Sequence, residues 1–259
     1  MSLFKRILNF SQEAVAQSDK RTGPRHAVGQ SFPVKSVLHL IGHDEDGNPL
    51  PETTHGQDWT GRLVNMSSNG ASMQLHPAAA ARRGEPCSLR LGLGQSQLEL
   101  PGTVAQFRTY RDYALCGFSL HFPDFDSQKS YLQLIEPVAF GAGLTPKASD
   151  KVEQDTPGLH REEYTGQYAS HLTVWRDQRN GAVHGFDFKM RNYGVRWSDG
   201  MAEVETYGFT AGEPPTNGHL RQLSLQQQEE VRWLFCLAVP NLAKAVPSDT
   251  RKFLHQVVA

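Results

Sequence analysis

The chain has 259 residues, which at roughly 150 residues per domain points to between one and two domains, closer to two. Hydrophobic residues make up 38% and charged residues 20%, with 13 Phe and 4 Trp spread along the length, so buried cores are expected and wholesale disorder is excluded. Lys plus Arg number 26 against 27 Asp plus Glu, a formal charge of -1, without the global positive field that binding a nucleic-acid polymer exploits.

The longest unbroken apolar run, residues 233–239, is seven residues long, against the roughly 18 to 20 a helix needs to cross a bilayer. No transmembrane segment is expected. Lys5 and Arg6 precede an apolar stretch that breaks at Asn9 and Ser11, too early for a secretory core of about 7 to 15 residues, so the expectation is a cytoplasmic protein. Cys87, Cys116 and Cys236 are widely spaced and odd in number, with no Cys-x-x-Cys, and build neither a disulfide framework nor a zinc site.

In chain order, Leu3, Phe4, Ile7, Leu8, Ala14 and Val15 recur at helical spacing, which predicts an N-terminal amphipathic helix within residues 1–18. A polar loop with a Gly23-Pro24 breaker follows. The period then becomes two. Residues 34–41 and 59–66 read as strands separated by a long polar loop, and Asn69-Gly70 is a hairpin signal leading into residues 71–75. Cys87, Leu89, Leu91 and Leu93 alternate with polar residues, as do Cys116, Phe118, Leu120 and Phe122, which places the two thiols on core faces. A helix is predicted over residues 127–136, with Tyr131, Leu134 and Ile135 on one side and Pro137 as its stop.

Residues 141–163 carry Gly, Pro and charges with almost no apolar periodicity and read as a linker. Beyond it, residues 168–176, 183–190, 193–197 and 202–207 predict a four-stranded antiparallel meander, with turns at Asn180-Gly181 and Asp199-Gly200. Ser224 with Gln227 forms a capping-box pattern that opens a helix carrying Val231, Leu234, Phe235 and Ala238; Pro240 bends or ends it, and residues 249–258 predict a last short helix.

Enzyme signatures are absent: there is no nucleophile elbow, no zinc-protease motif, no P-loop and no dinucleotide fingerprint. His39 and His43 invite a metal reading, but on a strand four residues span roughly 13 Å, too far for one ion bound at about 2 Å from each. In the C-terminal half His171, Asp187, Arg191 and Arg196 are polar candidates with no recognised catalytic spacing, so the protein is not expected to be an enzyme.

Two features carry chemistry together. Lys20 and Arg21-x-x-x-Arg25 lie in the loop before the first strand, and Asn65-x-Ser67-x-x-Gly70 follows the second strand, Asn65 standing forty residues after Arg25. Asn, Ser and Gly are also ordinary turn residues, so the weight rests on order, spacing and the strand run closed by a helix. That arrangement, with Gly117-Phe118-x-x-x-Phe122 later in the chain, resembles the PilZ domain, a bacterial receptor module for cyclic di-GMP, over residues 19–140. The resemblance implies a mainly β protein with α additions: an antiparallel six-stranded β-barrel of PilZ type with a C-terminal helix. After the linker at 141–163, residues 164–259 read as a second α+β domain of unknown function, the meander plus C-terminal helices.

The resemblance further implies that Lys20, Arg21, Arg25, Asn65, Ser67 and Gly70 bind cyclic di-GMP, with no cofactor and no metal. The chemistry suits a doubly anionic purine dinucleotide. Arginine forks meet phosphates and guanine O6 and N7, while Asn65 and Ser67 offer donors and acceptors to the guanine edge. Gly70 provides either positive φ or the absence of a side chain. In the family the residue ahead of the first arginine, here Lys20, influences whether the ligand binds as a monomer or an intercalated dimer. Lys5, Arg6, Lys20, Arg21 and Arg25 against Glu13 and Asp19 give residues 1–25 an excess of three positive charges. The expected function is a second-messenger receptor that reorients its N-terminal helix and C-terminal domain to signal to a protein partner; the alternative is a nucleotide-blind PilZ-like interaction adaptor.

Overall fold

The computed structural model describes residues 24–41, 56–166, 169–209 and 220–258. The N-terminal helix, Lys20, Arg21, the long loop after the first predicted strand and His43 lie outside the described residues. The chain divides into two compact units, Met1–Glu136 and Pro137–Ala259.

The first unit is built from β1 (His26–Ala27), β2 (Lys35–Leu40), β3 (Gln57–Ser67), β4 (Gly70–Leu75), β5 (Pro86–Leu93), β6 (Ser96–Thr109) and β7 (Ala114–Leu120), followed by α1 (Phe125–Ala142). Strands β3, β2, β5, β6, β7 and β4 pair antiparallel in that order, and β4 pairs back onto β3, closing a six-stranded barrel. The period-two pattern drives closure: Leu38, Leu40, Leu89, Leu91, Leu100, Val104, Cys116 and Phe118 all point inward and are buried. Cys87 and Cys116 belong to this interior, where burial pushes both thiols up to about 12, so they stay protonated and pack as small apolar groups.

Helix α1 runs past the stop expected at Pro137. Asp124 opens it, its Oδ1 accepting from the Ser127 N–H at 2.6 Å. Pro137 then lies inside the helix, because the buried positions Tyr131, Leu134, Ile135 and Val138 keep helical spacing through it. The apolar stripe outweighs one missing amide donor. The division between the two units falls inside this helix, between Glu136 and Pro137.

The second unit holds β8 (Thr145–Pro146), β9 (Leu159–Thr165), β10 (Ser170–Asp177), β11 (Val183–Met190), β12 (Tyr193–Ser198), β13 (Glu205–Phe209) and β14 (Leu220–Arg221), then α2 (Leu225–Ala238) and α3 (Ser248–Val258). Its strands form one seven-stranded sheet with neighbours in chain order, each pair antiparallel. The expected four-strand meander is its centre, β10 to β13. Strand β9 and the short edges β8 and β14 extend it, and β8 and most of β9 come from residues 141–163. The charges that made this stretch read as a linker are paired in the folded sheet: Lys147 with Glu163 at 2.8 Å and Arg176 with Glu162 at 3.0 Å between neighbouring segments, and Arg161 with Glu163 at 2.7 Å along β9.

Leu172, Val174, Phe186, Phe188, Met190 and Val195 make one face of this sheet, and the helices bury it: Phe188 meets Phe235 at 5.1 Å, and Trp197 and Phe186 meet Phe253. Helix α2 begins with the expected capping box, Ser224 and Gln227 each bonding the other's backbone. Arg176, buried on the helix side of the sheet, bonds Asp249 and Thr250 in the first turn of α3.

Candidate ligand-binding site

Strand β3 alternates until Leu63, then carries an irregularity between Leu63 and Asn65 that makes Val64 a bulge. Leu63 and Met66 are both buried although three positions apart, which strict alternation forbids. The bulge resets the alternation and turns Asn65 to the outer surface. Without it, Asn65 would share the inward face with Leu63. This device is invisible to motif matching, although the odd spacing of two large apolar residues is its trace in the sequence.

The bulge is also where the N-terminal segment docks. Strand β1 pairs with β3, His26 opposite Met66 and Ala27 opposite Asn65, and the Val28 N–H donates to the Val64 carbonyl at 2.9 Å. Arg25 directly precedes β1, so one further step of the same register brings its backbone alongside Ser67. Arg25 is exposed. Among the described residues, neither its guanidinium nor the Asn65 amide has a hydrogen bond or ion pair. Lys20 and Arg21 lie outside the described residues.

Beyond the bulge, Ser68 and Asn69 make the turn and Gly70 is already the first residue of β4, so the turn falls one residue earlier than the Asn69-Gly70 turn expected from sequence. Gly70 has no positive φ; its requirement is space. A Cβ there would meet the Phe118 carbonyl oxygen at 2.5 Å, so β7 can close against β4 only with glycine at this position. The Ser67 hydroxyl is buried within the hairpin, 3.2 Å from the Gly70 carbonyl oxygen and 3.3 Å from Asn69 Oδ1. The Gly70 carbonyl also accepts from Tyr131 Oη of α1 at 2.9 Å. Tyr131 is fully buried, with its ring 5.6 Å from Phe122, and burial raises its hydroxyl above the ordinary tyrosine range, keeping it a donor. His26, half-buried in β1 beside this site, is lowered by burial and enters as a neutral imidazole near pH 7.

The polar candidates of the second unit are differently placed. Glu163, Thr173, Asp187, Arg196 and Glu205 form one row across β9 to β13, on the sheet face away from the helices. They are engaged with each other and their neighbours: Arg196 with Glu205 at 2.8 Å, Asp187 with the Tyr207 hydroxyl and with Lys189 at 3.3 Å. His171, in the next row, lies 3.7 Å from Glu163 and 3.3 Å from Thr173 Oγ1, and burial lowers its pKa. Arg191 has its guanidinium over the Phe140 ring at 5.8 Å. In the barrel, His39 pairs with Asp58 at 2.8 Å.

The first unit is thus a closed six-stranded antiparallel barrel followed by a helix, with its polar motif on a bulged strand beside the strand β1. Residues 19–136 match the PilZ domain family, and this part of the chain is a PilZ domain. Among solved structures, the PilZ domain of CeSA from a cellulose-synthesizing bacterium is similar at 18% identity, covering 44% of this chain and 95% of that one, with a TM-score of 0.28. The Borreliella burgdorferi PlzA protein in complex with c-di-GMP is similar at 10% identity, covering 90% of this chain and 99% of that one, with a TM-score of 0.31. No curated protein matches the chain. No helix among the described residues is long and apolar enough to cross a membrane.

Proposed function

We propose that the chain is a cyclic di-GMP receptor whose PilZ domain binds the dinucleotide between the arginine segment and the outer surface of β3. The observation that carries this reading is the pairing of β1 on the bulged part of β3, which brings the Arg25 end of the segment beside Asn65 and Ser67. Arg21 and Arg25 supply guanidinium forks to phosphates and guanine O6 and N7. Asn65 reads the guanine edge with donor and acceptor, and Lys20 sets the environment of the first arginine. Four or five charge-assisted contacts less the ordering of the segment correspond to an affinity on the order of micromolar.

The output follows from the same segment: closing it over a ligand reorients residues 1–18, which a protein partner then reads, and the ligand can drive this only by its differential affinity for the two arrangements. Calorimetric titration with cyclic di-GMP tests the reading. The full-length chain is expected to bind, while Arg21→Ala, Arg25→Ala and Asn65→Ala each lose most of the measurable heat. A full-length chain that gives no heat would leave the nucleotide-blind adaptor as the function of the barrel.

A further inference from the structure

We infer that Tyr131 of α1 is a positioning residue for the ligand site, acting through the Gly70 carbonyl that it shares with Ser67; this rests on the receptor reading above. The carbonyl takes the Tyr131 hydroxyl at 2.9 Å from the helix side and lies 3.2 Å from Ser67 Oγ on the hairpin side. Ser67 has a single hydroxyl proton, spent inside the hairpin on Gly70 or on Asn69 Oδ1. To donate to a phosphate or to guanine, Ser67 must give that bond up. Tyr131 makes the exchange cheap, because the Gly70 carbonyl keeps a side-chain donor when Ser67 turns outward.

The surrounding geometry leaves Tyr131 no alternative role for its hydroxyl. Its side chain is fully buried, and the same turn is fixed on the β7 side by the Leu120 N–H donating to the Asn69 carbonyl at 2.8 Å. The glycine itself cannot yield, since the Phe118 carbonyl stands 2.5 Å from where its Cβ would be. Ser67 is therefore the one mobile partner of a carbonyl otherwise held from the helix and pressed against β7. Helix α1 consequently touches the candidate site through a directed bond, and not only through apolar packing.

The test is a double-mutant cycle in the full-length chain, titrated with cyclic di-GMP. Tyr131→Phe, which keeps the ring, is expected to weaken binding about three- to tenfold, the worth of one buried hydrogen bond. In a Ser67→Ala background the same change is expected to have less than about a twofold effect, since no hydroxyl remains to be released. A purely structural tyrosine would weaken both backgrounds by the same factor, and that result, or wild-type affinity in Tyr131→Phe, overturns the inference. Amide exchange in the ligand-free protein gives a second readout: residues 67–70 should exchange faster in Tyr131→Phe, and an unchanged rate also overturns it. If the unsubstituted chain fails to bind at all, the receptor reading falls and the inference with it, an outcome distinct from normal binding by the unsubstituted chain with additive losses in the variants.

Discussion

The two units of this chain solve the same problem in opposite ways. Each is an antiparallel sheet with alternating sequence, but the barrel closes on itself and puts its core inside, whereas the second sheet stays open and buries one face under α2 and α3. Closure leaves the barrel's outer surface with polar groups at the bulge, Asn65 and Arg25 among them, that have no side-chain partner among the described residues. The open sheet instead pairs its outward groups with one another, Glu163 with Lys147 and Arg161, Asp187 with Lys189 and Tyr207, Arg196 with Glu205. Polar residues are plentiful in both, so count is a poor guide to function; commitment separates a candidate ligand surface from a structural network.

That contrast is open to attack at several strengths. The largest effect is expected at Arg176, where substitution by Met removes a buried guanidinium from Glu162, Asp249 and Thr250 and should cost about 3 kcal/mol of stability by urea denaturation. A cost near zero would show that the α3 attachment rests on its apolar side chains, Phe253, Leu254 and Val258. Gly70→Ala comes next, at about 2 kcal/mol, since its Cβ meets backbone of β7; affinity for cyclic di-GMP should fall as well.

Asn65→Ala is expected to do the reverse of Arg176→Met: roughly tenfold weaker ligand binding, with stability changed by less than about 0.5 kcal/mol. Asp187→Asn should leave affinity untouched while loosening the Tyr207 contact, and a ligand defect there would break the division of labour between the two units. The smallest effect concerns acid. His26 and His171 are both lowered by burial, so the unfolded chain binds more protons than the native one once pH drops under the ordinary histidine value of 6.5. Stability present above that value should be lost as pH falls through the native pKa of each. The chain is expected to lose stability again below the ordinary carboxylate range, as Glu163, held down by Lys147 and Arg161, and Asp249, held down by Arg176, protonate. Urea midpoints measured from pH 7 to pH 3 check both steps, and a midpoint that rises toward pH 5 would contradict the first.

Much of this was legible in the residues themselves. Alternation at Leu89-x-Leu91 and Cys116-x-Phe118 identified inward faces, Ser224 with Gln227 marked the start of a helix, and Arg-x-x-x-Arg ahead of Asn-x-Ser-x-x-Gly pointed to the family, because each is a local pattern whose period or spacing carries its own physics. What the local pattern missed was decided by partners far along the chain. Strand β9 looked like a linker because its charges find partners such as Lys147 and Arg176 only once the sheet has folded, and α1 passed Pro137 because a buried stripe outweighed one absent donor. Gly70 looked like a turn residue, yet it is needed for the approach of Phe118, 48 positions later in sequence. The outward turn of Asn65 and the Tyr131 bond to Gly70 belong to the same category. A sequence specifies which groups are present and how they alternate, whereas which of them remain unspent depends on distances that exist only once the barrel has closed.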